Sequence, residues 1–187
     1  KTINYSNRID LKTPTTLRNL SMSGFAVKKN VGVETPYDIA AGGHNLTIDN
    51  VEGKVKSVTG NNKNKLTIEN EGPEFTGNIG SFAEVALNLD DTVNVAGTFG
   101  AGKLVFGDDG RLDVKGAVTV TDIENNSGTL AVYKNPTNKK TNLTVKGLIT
   151  NNASDEKLDV VVGLAPNESE DDMRLGKDSR NVSKVIL

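Results

Sequence analysis

The sequence predicts an all-β chain wound as a right-handed parallel β-helix, a solenoid fragment in which short strands stack turn upon turn. Three observations predict it: a strand motif returning at a period near 20 residues, apolar–polar alternation within each copy, and Gly- and Asn-rich breaks between copies. The motif Asn45-Leu46-Thr47-Ile48-Asp49-Asn50 reappears as Lys65-Leu66-Thr67-Ile68-Glu69-Asn70, an offset of 66 − 46 = 20. It continues as Leu87-Asn88-Leu89-Asp90 (87 − 66 = 21) and Leu104-Val105-Phe106-Gly107 (104 − 87 = 17). A second series runs between these, opened by Val55, Phe75, Val93 and Leu112 at offsets of 20, 18 and 19. Looser copies follow in Leu130-Ala131-Val132, Asn142-Leu143-Thr144-Val145 and Leu158-Asp159-Val160. In a sandwich, successive strands have different neighbours and no reason to resemble one another. In a solenoid, equivalent strands stack about 4.8 Å apart and share one environment.

Within each copy the alternation sets one buried face. Leu46 and Ile48 are expected inward with Thr47 and Asp49 outward, Leu112 and Val114 inward with Asp113 and Lys115 outward, and Val85, Leu87 and Leu89 inward. The breaks are Gly60-Asn61-Asn62, Gly107-Asp108-Asp109-Gly110, Asn125-Asn126-Ser127-Gly128 and Asn151-Asn152. Gly and Asn tolerate left-handed backbone and therefore suit tight corners. The glycine-rich stretch Gly97-Thr98-Phe99-Gly100-Ala101-Gly102-Lys103 reads as a flexible corner. It is not a phosphate loop, because Leu104 follows the lysine where Ser or Thr is required.

The repeat region spans 37–165, enough for about six turns and roughly 30 Å of stack. Residues 1–36, with Leu17, Leu20, Phe25 and Val27, read as irregular early turns. Residues 166–187 read as a flank. Its acidic start, with Asn167, Glu168, Glu170, Asp171 and Asp172 before Met173, Arg174, Leu175 and Gly176, predicts a short helix, and 181–187 predicts a last strand. Lys1 opens a polar stretch with no signal-peptide pattern, which reads as a mature or excised piece of something longer.

Composition narrows the function. Aromatics are 4% and Trp is absent, so small β-branched and Leu side chains must fill a narrow, repeated core. A net charge of −2 with both signs interspersed gives no basic face, which argues against nucleic acid as partner. The chain holds no run of about 18 apolar residues. It also has no cysteine, which excludes disulfides and thiolate chemistry.

The search for chemistry yields candidates and no assignment. A Ser–His–Asp triad would have to use His44, in Gly42-Gly43-His44-Asn45, and no Gly-x-Ser-x-Gly elbow accompanies it. His44 therefore reads as a turn histidine. The acid pairs Asp90-Asp91, Asp108-Asp109 and Asp171-Asp172 match no calcium-loop pattern. Glycan cleavage would need two carboxylates across a groove. Asp113 and Asp159 are the pair that could stack, although sugar sites favour aromatic platforms and this chain has three Tyr. Asn-x-Ser/Thr patterns at Asn4, Asn19, Asn45, Asn125, Asn142, Asn152, Asn167 and Asn181 are assigned no role. No catalytic, cofactor-binding or metal-binding residue is assigned.

Three units carry a family resemblance: Asn78-Ile79-Gly80, Thr92-Val93-Asn94-Val95-Ala96-Gly97-Thr98-Phe99, and Gly102-Lys103-Leu104-Val105-Phe106-Gly107. Over about Ala41 to Gly163 the chain resembles autotransporter (type V secretion) passenger domains, in the style of the rickettsial surface cell antigens. The resemblance implies a right-handed β-helix on the bacterial surface or secreted, with a membrane barrel beyond this sequence. It further implies an adhesin that contacts a host-cell protein or glycan, or another copy of itself, and no enzyme. Lack of cysteine agrees with passage through a narrow pore. The alternatives are a toxin-like or spacer passenger segment displaying another domain, and a glycan-active β-helix of the tailspike or lyase type.

Overall fold

The computed structural model describes residues 7–22, 36–135, 140–152 and 158–164. The predicted helix at 166–176, the last strand at 181–187, and Phe25 and Val27 lie outside these. All regular structure among the described residues is strand. In chain order the strands are β1 (Arg8–Asp10), β2 (Thr15–Met22), β3 (Tyr37–Ala40), β4 (Leu46–Thr59), β5 (Lys65–Glu69), β6 (Glu74–Phe75), β7 (Ile79–Asn88) and β8 (Thr92–Val95). There follow β9 (Phe99–Phe106), β10 (Arg111–Val114), β11 (Val118–Asn125), β12 (Thr129–Tyr133), β13 (Leu143–Val145), β14 (Ile149–Asn151) and β15 (Asp159–Leu164). Every pairing is parallel. The chain is a parallel β-helix.

Each turn carries three faces. On the first, Ile39, Val58, Ile79, Phe99, Val118 and Leu143 stack in register. On the second, Leu46, Leu66, Val85, Leu104, Ile123 and Ile149 stack, and two residues on, so do Leu17, Ile48, Ile68, Leu87, Phe106, Asn125 and Asn151. On the third, Tyr37, Val55, Phe75, Val95, Val114, Val132 and Val162 stack. β4 runs without a break from the second face through the third to the first, while β7, β9 and β11 run from the first to the second.

The main core is one column of apolar side chains along the axis, and Ala131 and Val161, with Tyr133 against them, form a second small cluster apart from it. Phe75, Phe82, Phe99 and Phe106 are among the column's largest fully buried members. Each such side chain withdrawn from water stabilises by about 1.5–3 kcal/mol, and stacking lets every turn reuse the same narrow shape. Corners are turned by residues with positive φ. Asn19, Asn50 and Asn70 turn from the second face toward the third, at φ of 52°, 54° and 60°. The Asn50 side-chain amide donates to Asn19 Oδ1 at 2.7 Å, so the corner residues are tied to each other across turns.

Several expectations need correction. The two series read from the sequence each slip by one inward position. Leu87 stacks on Ile68 rather than on Leu66, and Phe75 stacks on Val95 rather than on Val93. A two-residue slip preserves the inward direction, so alternation alone cannot detect it. The looser copies mix faces: Leu130 stacks on Leu112 of the third face, Leu143 on Val118 of the first. Of the stretch Gly97 to Lys103 only Gly97-Thr98 lies at a corner, and the rest belongs to Phe99–Phe106, one continuous strand hydrogen-bonded on both sides. Asp49 and Asp113 are buried, at 7% and 8% exposure, although their strand positions alternate with inward apolar ones. Partners on adjacent turns cover them. Finally, Thr15–Met22 is a full strand paired with β4, where irregular turns were expected.

Candidate binding corner

The solenoid's outward side chains form ladders. On the second face Lys65, Glu84, Lys103 and Asp122 stack in that order, so the sign alternates turn by turn. Lys65 Nζ meets Glu84 Oε1 at 2.7 Å, and Lys103 Nζ donates to Glu124 Oε2 at 3.1 Å. Like charges directly opposite would repel at strand spacing, and alternation removes that cost. The Glu124 carboxyl is held below the usual range, first by the amide of Asn152 and then by Lys103, and the Lys103 ammonium is correspondingly raised by its hydrogen bond to Glu124.

One ladder does place two acids together. Asp49 stacks on Glu69. The Asn70 amide donates to Asp49 Oδ1 at 2.7 Å, and Arg18 Nε donates to Oδ2 at 2.5 Å. These bonds, the Asn70 one foremost, lower the Asp49 pKa.

The third face meets the first at a corner built on glycine. Phe75-Thr76-Gly77, Val95-Ala96-Gly97 and Val114-Lys115-Gly116 are equivalent on successive turns. Gly97 N donates to Gly77 O at 2.9 Å, and Gly116 N to Gly97 O at 3.0 Å. A Cβ on Gly77 would stand 2.6 Å from Lys56 O, and one on Gly97 2.5 Å from Gly77 O. Only glycine lets the backbones approach this closely. On the next turn the equivalent triplet is Val132-Tyr133-Lys134, and the glycine is gone. The chain then needs more residues to regain the first face: Val118 to Leu143 is 143 − 118 = 25, against 118 − 99 = 19 for Phe99 to Val118.

A surface hollow of about 760 Å³ lies at this corner, lined among others by Asn94, Gly97, Thr98, Lys115, Gly116 and Tyr133. Its glycines leave bare backbone as lining. Tyr133 Oη donates to Asp113 Oδ2 at 2.8 Å, and Arg111 Nε donates to Asp113 Oδ1 at 2.5 Å. The phenol is thereby fixed in place, with the residue partly buried against Ala131 and Val161. Burial, and then the Asp113 carboxylate, raise the Tyr133 pKa, so the group is a neutral donor at physiological pH rather than a base.

Other sequence candidates fall elsewhere. His44 sits in a turn, its N–H donating to Ala41 O at 3.0 Å and its C=O accepting from the Asn64 amide at 2.6 Å. Asp113 and Asp159 share the third face but not a column: Asp113 stacks on Ala131 and then Val161, whereas Asp159 stacks on Thr129 and then Arg111. They do not form a stacked carboxylate pair. Asp90, Asp91 and Asp108 line a shallow hollow of about 310 Å³ with Asn70 and Asn88, and Asp109 accepts from Ser127 Oγ. Among the described residues no three acids or histidines gather closely enough to hold a metal ion. Asp171-Asp172 lie outside the described residues. Of the Asn-x-Ser/Thr patterns, Asn125 is fully buried, donating to Asn151 Oδ1 at 3.1 Å and accepting from Gly128 N at 2.7 Å.

Sequence reasoning passed over Tyr133 and Arg111, and read Lys115 only as an outward strand residue. A signal for them was present, in the apolar-x-Gly triplet that recurs at 75, 95 and 114 and fails at 132. No family model matches the chain, and no curated protein or solved structure matches it either.

Proposed function

We propose that this chain is a non-enzymatic binding module of a displayed or secreted bacterial β-helix, an adhesin of autotransporter-passenger style that engages a host-cell molecule or a second copy of itself. The observation that carries the reading is the failure of the glycine corner at Lys134, beside a hollow lined by Tyr133, together with the longer spacing from Val118 to Leu143 on that turn. In solenoids, insertions between repeats gather on one face, often the binding face. The parallel β-helix itself supports the reading as a rigid platform whose ladders hold their polar groups in fixed rows. The absence of cysteine suits export through a narrow pore.

The test keeps the stack and removes the corner. Residues 134–141 are replaced by a short glycine-containing corner like that at Ala96-Gly97-Thr98. The shortened chain is expected to keep its β-sheet circular dichroism and lose binding to host cells and to itself. If the intact chain binds neither cells nor its own copies, the adhesin reading fails. A spacer role is favoured instead if the intact chain binds nothing and the whole protein still requires this length of stack for the activity of another domain.

A further inference from the structure

We infer that the hollow at the third-to-first corner takes a carboxylate-bearing sugar, an inference that rests on the binding-module reading and names its ligand class. Four features of the corner converge on that chemistry. The Tyr133 ring, partly buried against Ala131 and Val161, is held by its own hydroxyl on Asp113, so the part of it that lines the hollow is available for the C–H face of a sugar ring without loss of side-chain freedom on binding. The hydroxyl-rich rim of a sugar meets the side chain of Asn94, able to donate and accept, and Thr98 Oγ1, which donates to Asn78 Oδ1 at 3.2 Å and offers its lone pairs as acceptors. Gly97 and Gly116 line the hollow with backbone, and they are fixed as glycine by the stack itself, because a Cβ on either would run into the backbone of the preceding turn.

The charge of the ligand follows from Lys115. It lines the hollow, is exposed, and forms no ion pair among the described residues. The nearby carboxylate, Asp113, is engaged on one oxygen by Arg111 and on the other by Tyr133. Among the described residues that line the hollow the charged ones, Lys115 and Lys134, are both positive, which selects an acidic sugar over its neutral counterpart. At about 760 Å³ the hollow falls in the usual range for small-ligand sites, roughly 300–1,000 Å³.

The experiment is a two-dimensional amide NMR titration of the full chain with digalacturonate, and in parallel with uncharged digalactose. Digalacturonate is expected to shift the Gly97, Thr98 and Gly116 amides, with digalactose binding at least about tenfold more weakly, the factor that loss of one charge-assisted hydrogen bond produces. Lys115→Gln, an exposed substitution that leaves the stack intact, is expected to weaken digalacturonate about tenfold and leave digalactose unchanged. Tyr133→Ala is expected to abolish both, and Thr47→Ala on the second face to change neither. Equal affinity for the two sugars, indifference to Lys115→Gln, or no amide shifts with either sugar overturns the inference. Cell binding measured on the same preparation separates the failures. If it persists without a sugar response, only the ligand class is wrong; if it is absent too, the binding-module reading falls as well.

Discussion

A Cβ on Gly97 would stand 2.5 Å from the carbonyl oxygen of Gly77 one turn before, a distance that side chains do not tolerate against backbone. Gly80, three residues beyond Gly77, has nothing within 4 Å of the same position. Gly97→Ala is therefore expected to destabilise by about 2–4 kcal/mol through forced separation of two turns. Gly80→Ala is expected to be neutral, or to stabilise by up to about 1 kcal/mol through the unfolded chain. Urea unfolding of the two variants decides it, and equal midpoints would contradict the stacking of this corner.

Asn125 occupies an inward column whose neighbours are Ile48, Ile68, Leu87 and Phe106 on earlier turns. Its Oδ1 satisfies the Gly128 N–H, and Gly128 is itself pressed against the Phe106 ring. Asn125→Leu restores the apolar column but orphans that buried N–H, and is expected to destabilise by about 1–3 kcal/mol despite the added hydrophobicity. Phe106→Ala leaves a cavity beside the same corner and is expected to cost about 3–5 kcal/mol. A leucine at 125 that raised the melting temperature would show the polar contact to be dispensable.

The depressed pKa of Asp49 makes a pH prediction. Because the folded-state value lies below the unfolded one, near 3.9, the stability it contributes is present above that pH and is lost as pH falls through the folded value. Asp49→Asn is expected to lower stability at pH 7 and to flatten the acid limb below about pH 4. Arg18→Gln should act in the same direction, since its guanidinium contacts the same carboxylate. Denaturant midpoints from pH 2 to 7 give the comparison, and an unchanged acid limb in Asp49→Asn would remove the assignment.

Tyr133 titrates on the opposite side. Its folded pKa is raised, so its contribution is complete below the unfolded value near 10 and is lost as pH rises through the folded one. In an alkaline titration followed by phenolate absorbance, Tyr133 is expected to ionise after a free tyrosine would, and Asp113→Asn should move it earlier. Tyr133→Phe identifies the corresponding step. If that variant removes an early-ionising tyrosine, the Asp113 contact does not persist in solution.

The repeat was legible because parallel stacking puts equivalent residues in equivalent surroundings. Leu46 over Leu66 and Ile48 over Ile68 could be read directly, and with them the strands, the inward positions and most corners. The first face was not read as a separate series, because Ile39, Val58, Ile79, Phe99 and Val118 sit close to corners, where turn residues interrupt alternation. Register was not legible either, since a slip of two residues leaves every side chain pointing the same way.

By itself, then, the sequence determined the winding: a short apolar motif repeated near every 20 residues can be buried only by stacking on its own copies. Tertiary structure alone decided which copies meet, that Asp49 and Asp113 are covered by neighbours from other turns, and that Tyr133, Asp113 and Lys115 share one corner. These are contacts between residues about one turn apart, and local propensity carries no information about what lies on the next turn. Such contacts exist only once the register between turns is fixed.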